Sequence, residues 1–520
     1  MTARKRGTPY SSGSSADDIT ATSPIDRRRT PRLSNAEMHI LTRVAARWLR
    51  RLSDRAAVRV AVLGCSVLFT FCGQPGSAHA AETASLEPRI VNGVLTPSYP
   101  TTGAVLYGPD PFDPTNVSTE CTGVLVGCQT VLTAAHCVCP DQTDTAGACI
   151  AMGLADPSTL SFFLQHAGFF PVASISIDPS YEFAVSSDIA ILKLAAPVSG
   201  IAPSRINTTA APPVGTASTI VGFGISVDNA SDSGVKRAGK AVTAACTTPI
   251  PNSTHVCWNF VEPLGLPGDN SNTCNGDSGG PLFINFGAGD QVAGLTSGGE
   301  PSCLPNSRSW DDSVFNDRAW VQTEAGADLD HATCGDLPQA GNPGTQIVAA
   351  SGEVSATHTQ GRSTFHVPAG TRVLRVTLNG ADADTAAHPP LLNDFDLFIK
   401  AGNPPTTSDY DCSDIGSAPY GFCEITAPAA GTWYVLVEWV EGGGTYQVTA
   451  TTFGSALTCA GDCDGNGAVT VDELIKGVNI ALGIAPFDRC PSFNTTSSGE
   501  VTVGELVRAV HNALTGCAAG

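Results

Sequence analysis

Three short stretches hold residue types that together perform nucleophilic chemistry. "TCNGDSGGPL", from Thr273 to Leu282, sets Ser278 between an acid and two glycines. A serine hydroxyl attacks a carbonyl only when an imidazole takes its proton, and that imidazole needs a carboxylate to hold its tautomer and stabilise its charge. "LTAAHCV" offers His136 as the base, and "SSDIAILKL" offers Asp188 as the orienting acid. Such a set carries out acyl transfer through a covalent intermediate.

Positioning these groups requires elements that end or begin sharply beside them. His136 follows an apolar, strand-like run that closes in a small-residue turn, and Asp188 opens an alternating strand. Gly279 and Gly280 allow a tight turn behind Ser278. The order His, Asp, Ser, with "RIVNG" at Arg89 to Gly93, closely resembles the trypsin and chymotrypsin serine peptidases over the 245 residues from Ile90 to Cys334. The resemblance implies a double six-stranded antiparallel β-barrel and a serine endopeptidase acting on protein or peptide substrates, with no cofactor for catalysis. It also implies an oxyanion hole made by the N–H groups of Gly276 and Ser278. Asp277 would receive the new ammonium group of Ile90 once the chain is cut after Arg89, which makes "AETASLEPR" (81–89) an activation peptide. An unpaired buried carboxylate is costly, so the loop from Asn275 to Ser278 is expected to rest differently before the cut.

The same resemblance assigns the specificity pocket and three disulfides. Asn272, six residues before Ser278, would stand at the pocket base, with Gly299 and Ser313 lining its walls. Ser297, Gly298 and Gly299 resemble the strand that pairs with substrate backbone, but Gly298 stands where the family usually has Trp, which predicts loose selectivity beyond the first pocket. A pocket without a buried carboxylate favours uncharged P1 side chains. Asp311 or Asp312, turned inward, would restore a basic preference. A neutral pocket cuts poorly after Arg89, so a separate trypsin-like activating protease is implied. The family pairs Cys121 with Cys137, Cys246 with Cys257 and Cys274 with Cys303. Beyond it, Cys139 with Cys149 and Cys128 with Cys334 are expected, and no clean pair of zinc-binding motifs competes for them.

Composition sets outer limits. The chain has 520 residues, enough for two to four domains. Its first 80 residues hold 13 of 28 Lys and Arg but 5 of 48 Asp and Glu, leaving a net charge of −28 beyond them. That acidity disfavours nucleic acid and anionic membranes as partners. "VAVLGCSVLFTFC", Val60 to Cys72, follows a cluster of arginines and precedes Ala78-His79-Ala80, so residues 1–80 read as an N-terminal extension and export signal, with Met38 as a second start. It falls short of the roughly 20 apolar residues of a span, and no membrane span is expected in the mature chain. Sixteen of the 18 cysteines lie beyond this signal, and an even number in an exported chain points to disulfides and an extracellular setting, including the cell surface.

Two modules follow the peptidase part (90–334) and its Pro/Gly linker (335–346). Residues 347–454 show short alternating strands between Gly and Pro turns, the pattern of a β-sandwich, and resemble the pre-peptidase C-terminal domain of secreted bacterial peptidases. Residues 455–520 repeat with an offset of 32: "GAVTVDELIKGVNIAL" corresponds to "GEVTVGELVRAVHNAL". In "DCDGNGAVTVDE", Asp462, Asp464, Asn466, Ala468 through its carbonyl, Thr470 and Glu473 occupy calcium positions 1, 3, 5, 7, 9 and 12. The second loop replaces its acids with Asn494, Thr496 and Ser498 and should bind weakly or not at all. This pair of small α-helical, EF-hand-like units resembles dockerin modules, which implies a cohesin-like or surface partner. Calcium stapling of a small bundle is the other reading. For the whole chain, the alternative to a peptidase is a catalytically inactive exported binding protein attached through its C-terminal modules.

Overall fold

A computed structural model describes residues 90–108, 118–140, 143–226, 232–287, 289–300, 302–342, 344–384, 391–454, 459–464, 468–493 and 501–517. The leader 1–80, the peptide 81–89 with Arg89, the loop residue Asn466 and the second-loop residues Asn494, Thr496 and Ser498 lie outside them.

Two antiparallel six-stranded barrels form the first part. The first comprises β1 (Thr102–Tyr107), β2 (Ser118–Leu125), β3 (Thr130–Thr133), β4 (Leu160–Leu164), β5 (Gly168–Ile177) and β6 (Ala190–Leu194), closed in the order β1-β2-β3-β6-β5-β4. The second comprises β7 (Ala217–Gly222), β8 (Arg237–Ala244), β9 (His255–Phe260), β10 (Pro281–Asn285), β11 (Asp290–Gly299) and β12 (Ser307–Ser313), and pairing of β7 with both β8 and β10 closes it. Strands β4, β5 and β6 of the first barrel are rich in Val, Ile, Leu and Phe, which suit a pleated buried surface. Helix α1 (Ala146–Met152) is capped by Thr145, whose hydroxyl accepts from the Ala148 N–H. Helix α2 (Val314–Ala325) follows β12, and its Val314 and Val321 join Val124 and Leu132 of the first barrel and Val221 and Leu295 of the second in one buried cluster. This shared apolar core fixes the barrels against each other.

A β-sandwich follows. One sheet orders β13 (Thr345–Ser355), β20 (Gly443–Phe453), β15 (Val373–Gly380) and β18 (Tyr420–Thr426); the other orders β14 (Gln360–Val367), β19 (Gly431–Glu441), β16 (Asp394–Ala401) and β17 (Cys412–Asp414). Leu374, Val376 and Leu378 face Leu397, Ile399 and Val435 in its core. The alternate residues Arg375, Thr377 and Asn379 are also buried, against the barrels. Gln165 donates to Asn379 Oδ1 (3.1 Å) and Gln447 Oε1 (3.2 Å), and Thr377 donates to the Gln165 carbonyl (2.6 Å). His166 sits between Thr451 and the Pro97 carbonyl, each at 2.8 Å, and burial with the nearby Lys236 charge pushes its pKa down to about 3, holding it neutral.

The tail carries α3 (Val471–Ala481) and α4 (Val503–Thr515). Each opens with a capping box, Thr470 with Glu473 and Thr502 with Glu505, in which hydroxyl and carboxylate reciprocally satisfy the exposed N–H groups. Eight disulfides join the described residues: Cys121–Cys137, Cys128–Cys334, Cys139–Cys149, Cys246–Cys257, Cys274–Cys303, Cys412–Cys423, Cys459–Cys517 and Cys463–Cys490. Among the described residues, no helix is long and apolar enough to cross a membrane.

Candidate active site

His136 lies on a 3-10 turn, Ala135–Cys137, directly after β3, and Asp188 lies two residues before β6. Both therefore hang on the first barrel. The His136 Nδ1 stands 2.7 Å from Asp188 Oδ2, and the His136 backbone N–H donates to Asp188 Oδ1 at 3.0 Å. Ser297 on β11 donates a third hydrogen bond to Asp188 Oδ2 at 2.7 Å. Asp188 is buried, and burial raises a carboxyl pKa, yet the His136 charge and these hydrogen bonds outweigh it and keep the group below its ordinary value. Burial lowers the pKa of His136, but the Asp188 charge and hydrogen bond reverse this and leave the imidazole more basic than usual. The edge of Phe183 packs against the His136 ring, with centroids 5.6 Å apart.

Ser278 comes from the second barrel, three residues before β10. The Thr122 N–H on β2 donates to the Ser278 carbonyl (2.8 Å), and the Thr122 hydroxyl donates to the Gly276 carbonyl (2.9 Å), so one buried threonine of the first barrel anchors the loop beside His136. The N–H groups of Asp277, Gly279 and Gly280 are held by the carbonyls of Cys274, Thr296 and Asp277. Those of Gly276 and Ser278 have no protein acceptor among the described residues, which leaves two donors for an oxygen that gains charge. Gly276 adopts a φ of +88°, open to glycine, and a Cβ there would lie 2.9 Å from Gly224 Cα.

Asp277 is fully buried and accepts from Gly224 N–H (2.8 Å) and Cys274 N–H (2.9 Å). Burial pushes its pKa up to about 7, with these two bonds and Arg237 pulling the other way. The loop is turned inward here, with the Asp277 carboxylate held by these two backbone donors. Ile90 is itself buried beside Ile220, Trp258 and Leu282, and Val91 pairs with Asn272.

Asn272 is buried within a polar net. Its Oδ1 accepts from Trp258 Nε1 (3.1 Å) and Ser309 Oγ (2.8 Å), and its Nδ2 donates to Ser307 Oγ (3.1 Å). The β12 serines that meet Asn272 are Ser309 and Ser307. Ser313 lies farther along β12, paired with Gly294 and donating its N–H to Thr254. Gly299 pairs with Ser309. Asp311 shares the face of Ser309, and burial raises its pKa well above the ordinary value. Asp312 points to the other face, where burial and the neighbouring Asp317 also raise it. Over Gly298 lies the indole of Trp310: a Cβ on Gly298 would come within 2.7 Å of it. An aromatic wall therefore arises from the adjacent strand, so the Gly298 position is not bare. Phe183, Thr122 and Trp310 carry no local motif that would mark them in the sequence.

In the tail, carboxylate oxygens of Asp462, Asp464 and Glu473 lie within 4.8 Å of one another. Glu473 Oε1 accepts from the Cys463 N–H (2.8 Å), and Thr470 donates to Oε2 (2.8 Å). The three acids fit a hard cation that prefers oxygen ligands.

The family model for trypsin matches residues 98–321, and that for the bacterial pre-peptidase C-terminal domain matches residues 362–438. A trypsin from Saccharopolyspora erythraea is 31% identical over 198 residues, covering 36% of this chain and 78% of that protein. A trypsin-like protease from Streptomyces glaucescens is 31% identical over 197 residues, 36% of this chain and 67% of that protein. Serine protease 1 of Rattus norvegicus is 28% identical over 217 residues, 39% of this chain and 78% of that protein.

Proposed function

The chain belongs to the trypsin-like serine proteases and is a serine endopeptidase, and from that premise we propose that it is a secreted zymogen in which Ser278 attacks, His136 moves the proton and Asp188 orients His136. The observation that carries this reading is the 2.7 Å contact between His136 Nδ1 and Asp188 Oδ2, beside a serine loop with two outward N–H donors. Attack of Ser278 Oγ on the substrate carbonyl forms a tetrahedral intermediate whose oxygen rests on Gly276 and Ser278 N–H. His136 takes the hydroxyl proton at Nε2 and returns it to the leaving amine, giving an acyl-enzyme that water then hydrolyses by the same route.

Cleavage after Arg89 by a trypsin-like protease would free Ile90 to give Asp277 a cation, and the pKa of about 7 for the uncompensated carboxyl supports that need. A pocket base of Asn272 and serines, with Asp311 fully buried along β12 and its carboxyl pushed well above its ordinary pKa by that burial, supports uncharged P1 side chains. Eight disulfides support secretion. The test is to cut the signal-free chain with trypsin, confirm Ile90 as the new N-terminus, and treat it with a fluorophosphonate probe before profiling a peptide library. Labelling confined to the cut chain is expected. A clean Ile90 terminus without labelling would favour the inactive binding protein instead.

For the tail, Asp462, Asp464, Asn466, Ala468, Thr470 and Glu473 would hold calcium, which supplies a charge that ties the loop to the start of α3. Exposed apolar residues recur at matching positions, Val471, Ile475 and Val478 on α3 with Leu482 at its C-cap, and Val503, Val507, Val510 and Leu514 on α4. These paired stripes support docking onto a cohesin-like or surface partner. Calcium at 100 times its dissociation constant should stabilise the tail by about 2.7 kcal/mol, and Glu473→Gln should abolish the gain. Identical melting of the tail in millimolar calcium and in chelator would refute the site.

A further inference from the structure

Part of the sandwich interface meets the segment next to the serine loop. Asp382 accepts from the Ser233 hydroxyl at 2.7 Å and from the Thr119 N–H at 3.1 Å, and its own N–H donates to the Ser233 carbonyl at 2.8 Å. Asn379 donates to the Gly234 carbonyl at 2.8 Å. Gln447 clasps the Lys236 backbone from both sides, accepting from its N–H at 2.8 Å and donating to its carbonyl at 3.1 Å. Three sandwich side chains thus hold three of the four residues Ser233 to Lys236.

That segment reaches the catalytic loop through Phe223, Gly224 and Ile225. Gly234 N–H donates to the Phe223 carbonyl (2.7 Å), and Arg237 donates to the Gly224 carbonyl (2.8 Å). Gly224 then donates to Asp277 Oδ1, and Ile225 N–H donates to the Asn275 carbonyl, each at 2.8 Å. A Cβ on Gly276 would lie 2.9 Å from Gly224 Cα and 3.7 Å from Ser233 Cβ, so both residues wall the oxyanion donor directly.

We propose that the sandwich is a built-in positioning element for the catalytic centre: Asp382, Asn379 and Gln447 clamp Ser233–Lys236 and thereby hold Gly224 against Asp277 and the Gly276–Ser278 donors. The inference rests on the endopeptidase reading. None of the three touches substrate; they act through the loop they order. Preorganised donors stabilise a developing oxyanion only if they need not move to meet it, so a loosened clamp lowers the rate of acylation more than substrate affinity.

Interface residues at the other end of the same contact supply the control. Arg375 donates to the carbonyl of Ser199 (2.6 Å) and to its hydroxyl (2.9 Å), and does not touch Ser233–Lys236. The experiment uses the full signal-free chain, cut after Arg89, and compares wild type, Ser233→Ala, Asp382→Ala, Asp382→Asn and Arg375→Ala well below their melting temperatures. Ser233→Ala and Asp382→Ala are expected to lower kcat and the fluorophosphonate labelling rate by about tenfold, a fraction of the loss from deleting an oxyanion donor outright, with KM changed little. Asp382→Asn, which keeps an acceptor for Ser233, should recover most of the loss. Arg375→Ala should lower the melting temperature without lowering kcat. Folded Ser233→Ala protein with wild-type kcat and labelling rate would overturn the proposal, as would an equal fall in kcat for Arg375→Ala. An unlabelled wild type would instead overturn the endopeptidase reading on which the proposal rests.

Discussion

Ser278→Ala is expected to lower the turnover of the cut chain by about 10⁶, with the fold and melting temperature unchanged. The loop that carries Ser278 is anchored through main-chain atoms, its carbonyl by Thr122 N–H and that of Gly276 by the Thr122 hydroxyl. Removing one Oγ therefore deletes the nucleophile and leaves the two N–H donors in place. What remains is water attacking a carbonyl polarised by those donors, which accounts for a residual rate on the order of 10³ to 10⁴ over solution. The measurement is kcat on a peptide amide, with fluorophosphonate titration of the wild type fixing the number of active sites. A variant that keeps more than about 1% of wild-type turnover would mean that the nucleophile lies elsewhere, since loss of the attacking group should remove far more than that.

Asp188→Asn should cost about 10⁴ in kcat at neutral pH. Asp188 accepts from His136 Nδ1–H, from the His136 backbone and from Ser297 at once. An amide has one acceptor oxygen, and turning its NH₂ toward the ring favours the tautomer with the proton on Nε2, where the base must be bare. The pH profile separates this from a packing defect. His136 is more basic than usual because Asp188 overcomes the effect of burial. The wild-type base is consequently protonated, and kcat/KM lost, as pH falls through that raised value. Without the carboxylate, burial acts alone and the pKa drops, so the acidic limb of the residual activity should shift to lower pH. A loss of under tenfold, or an unmoved limb, would remove Asp188 from the proposed role.

Much of this centre was legible because each of its groups carries its own local pattern. His136 sits in a small-residue turn, Asp188 opens an alternating strand, and Ser278 stands among glycines, so no long-range information was needed to mark them. The pocket wall was less legible. Ser309, not Ser313, meets Asn272: Ser313 lies four residues farther along β12, opposite Gly294, and which β12 residue comes to face Asn272 is set by strand pairing that cannot be counted from sequence. Trp310 fills the space above Gly298 from a neighbouring strand, a compensation visible only once the strands are paired. The sandwich interface was illegible for a different reason. Leu374, Val376 and Leu378 alternate with Arg375, Thr377 and Asn379, a pattern that reads as one dry and one wet face. Alternation records polarity, and here the polar face meets Gln165, Ser199 and Gly234 instead of solvent.

The sixteen cysteines from Cys121 to Cys517 all pair among themselves, and none is left for Cys65 or Cys72. On the proposed cut after Arg89, no disulfide among the described residues would tie what precedes Ile90 to the rest. A later nick between Cys128 and Cys334 has the opposite fate, because that bridge keeps both new ends on one molecule. An internal cut in that span accordingly shows as two fragments only after reduction.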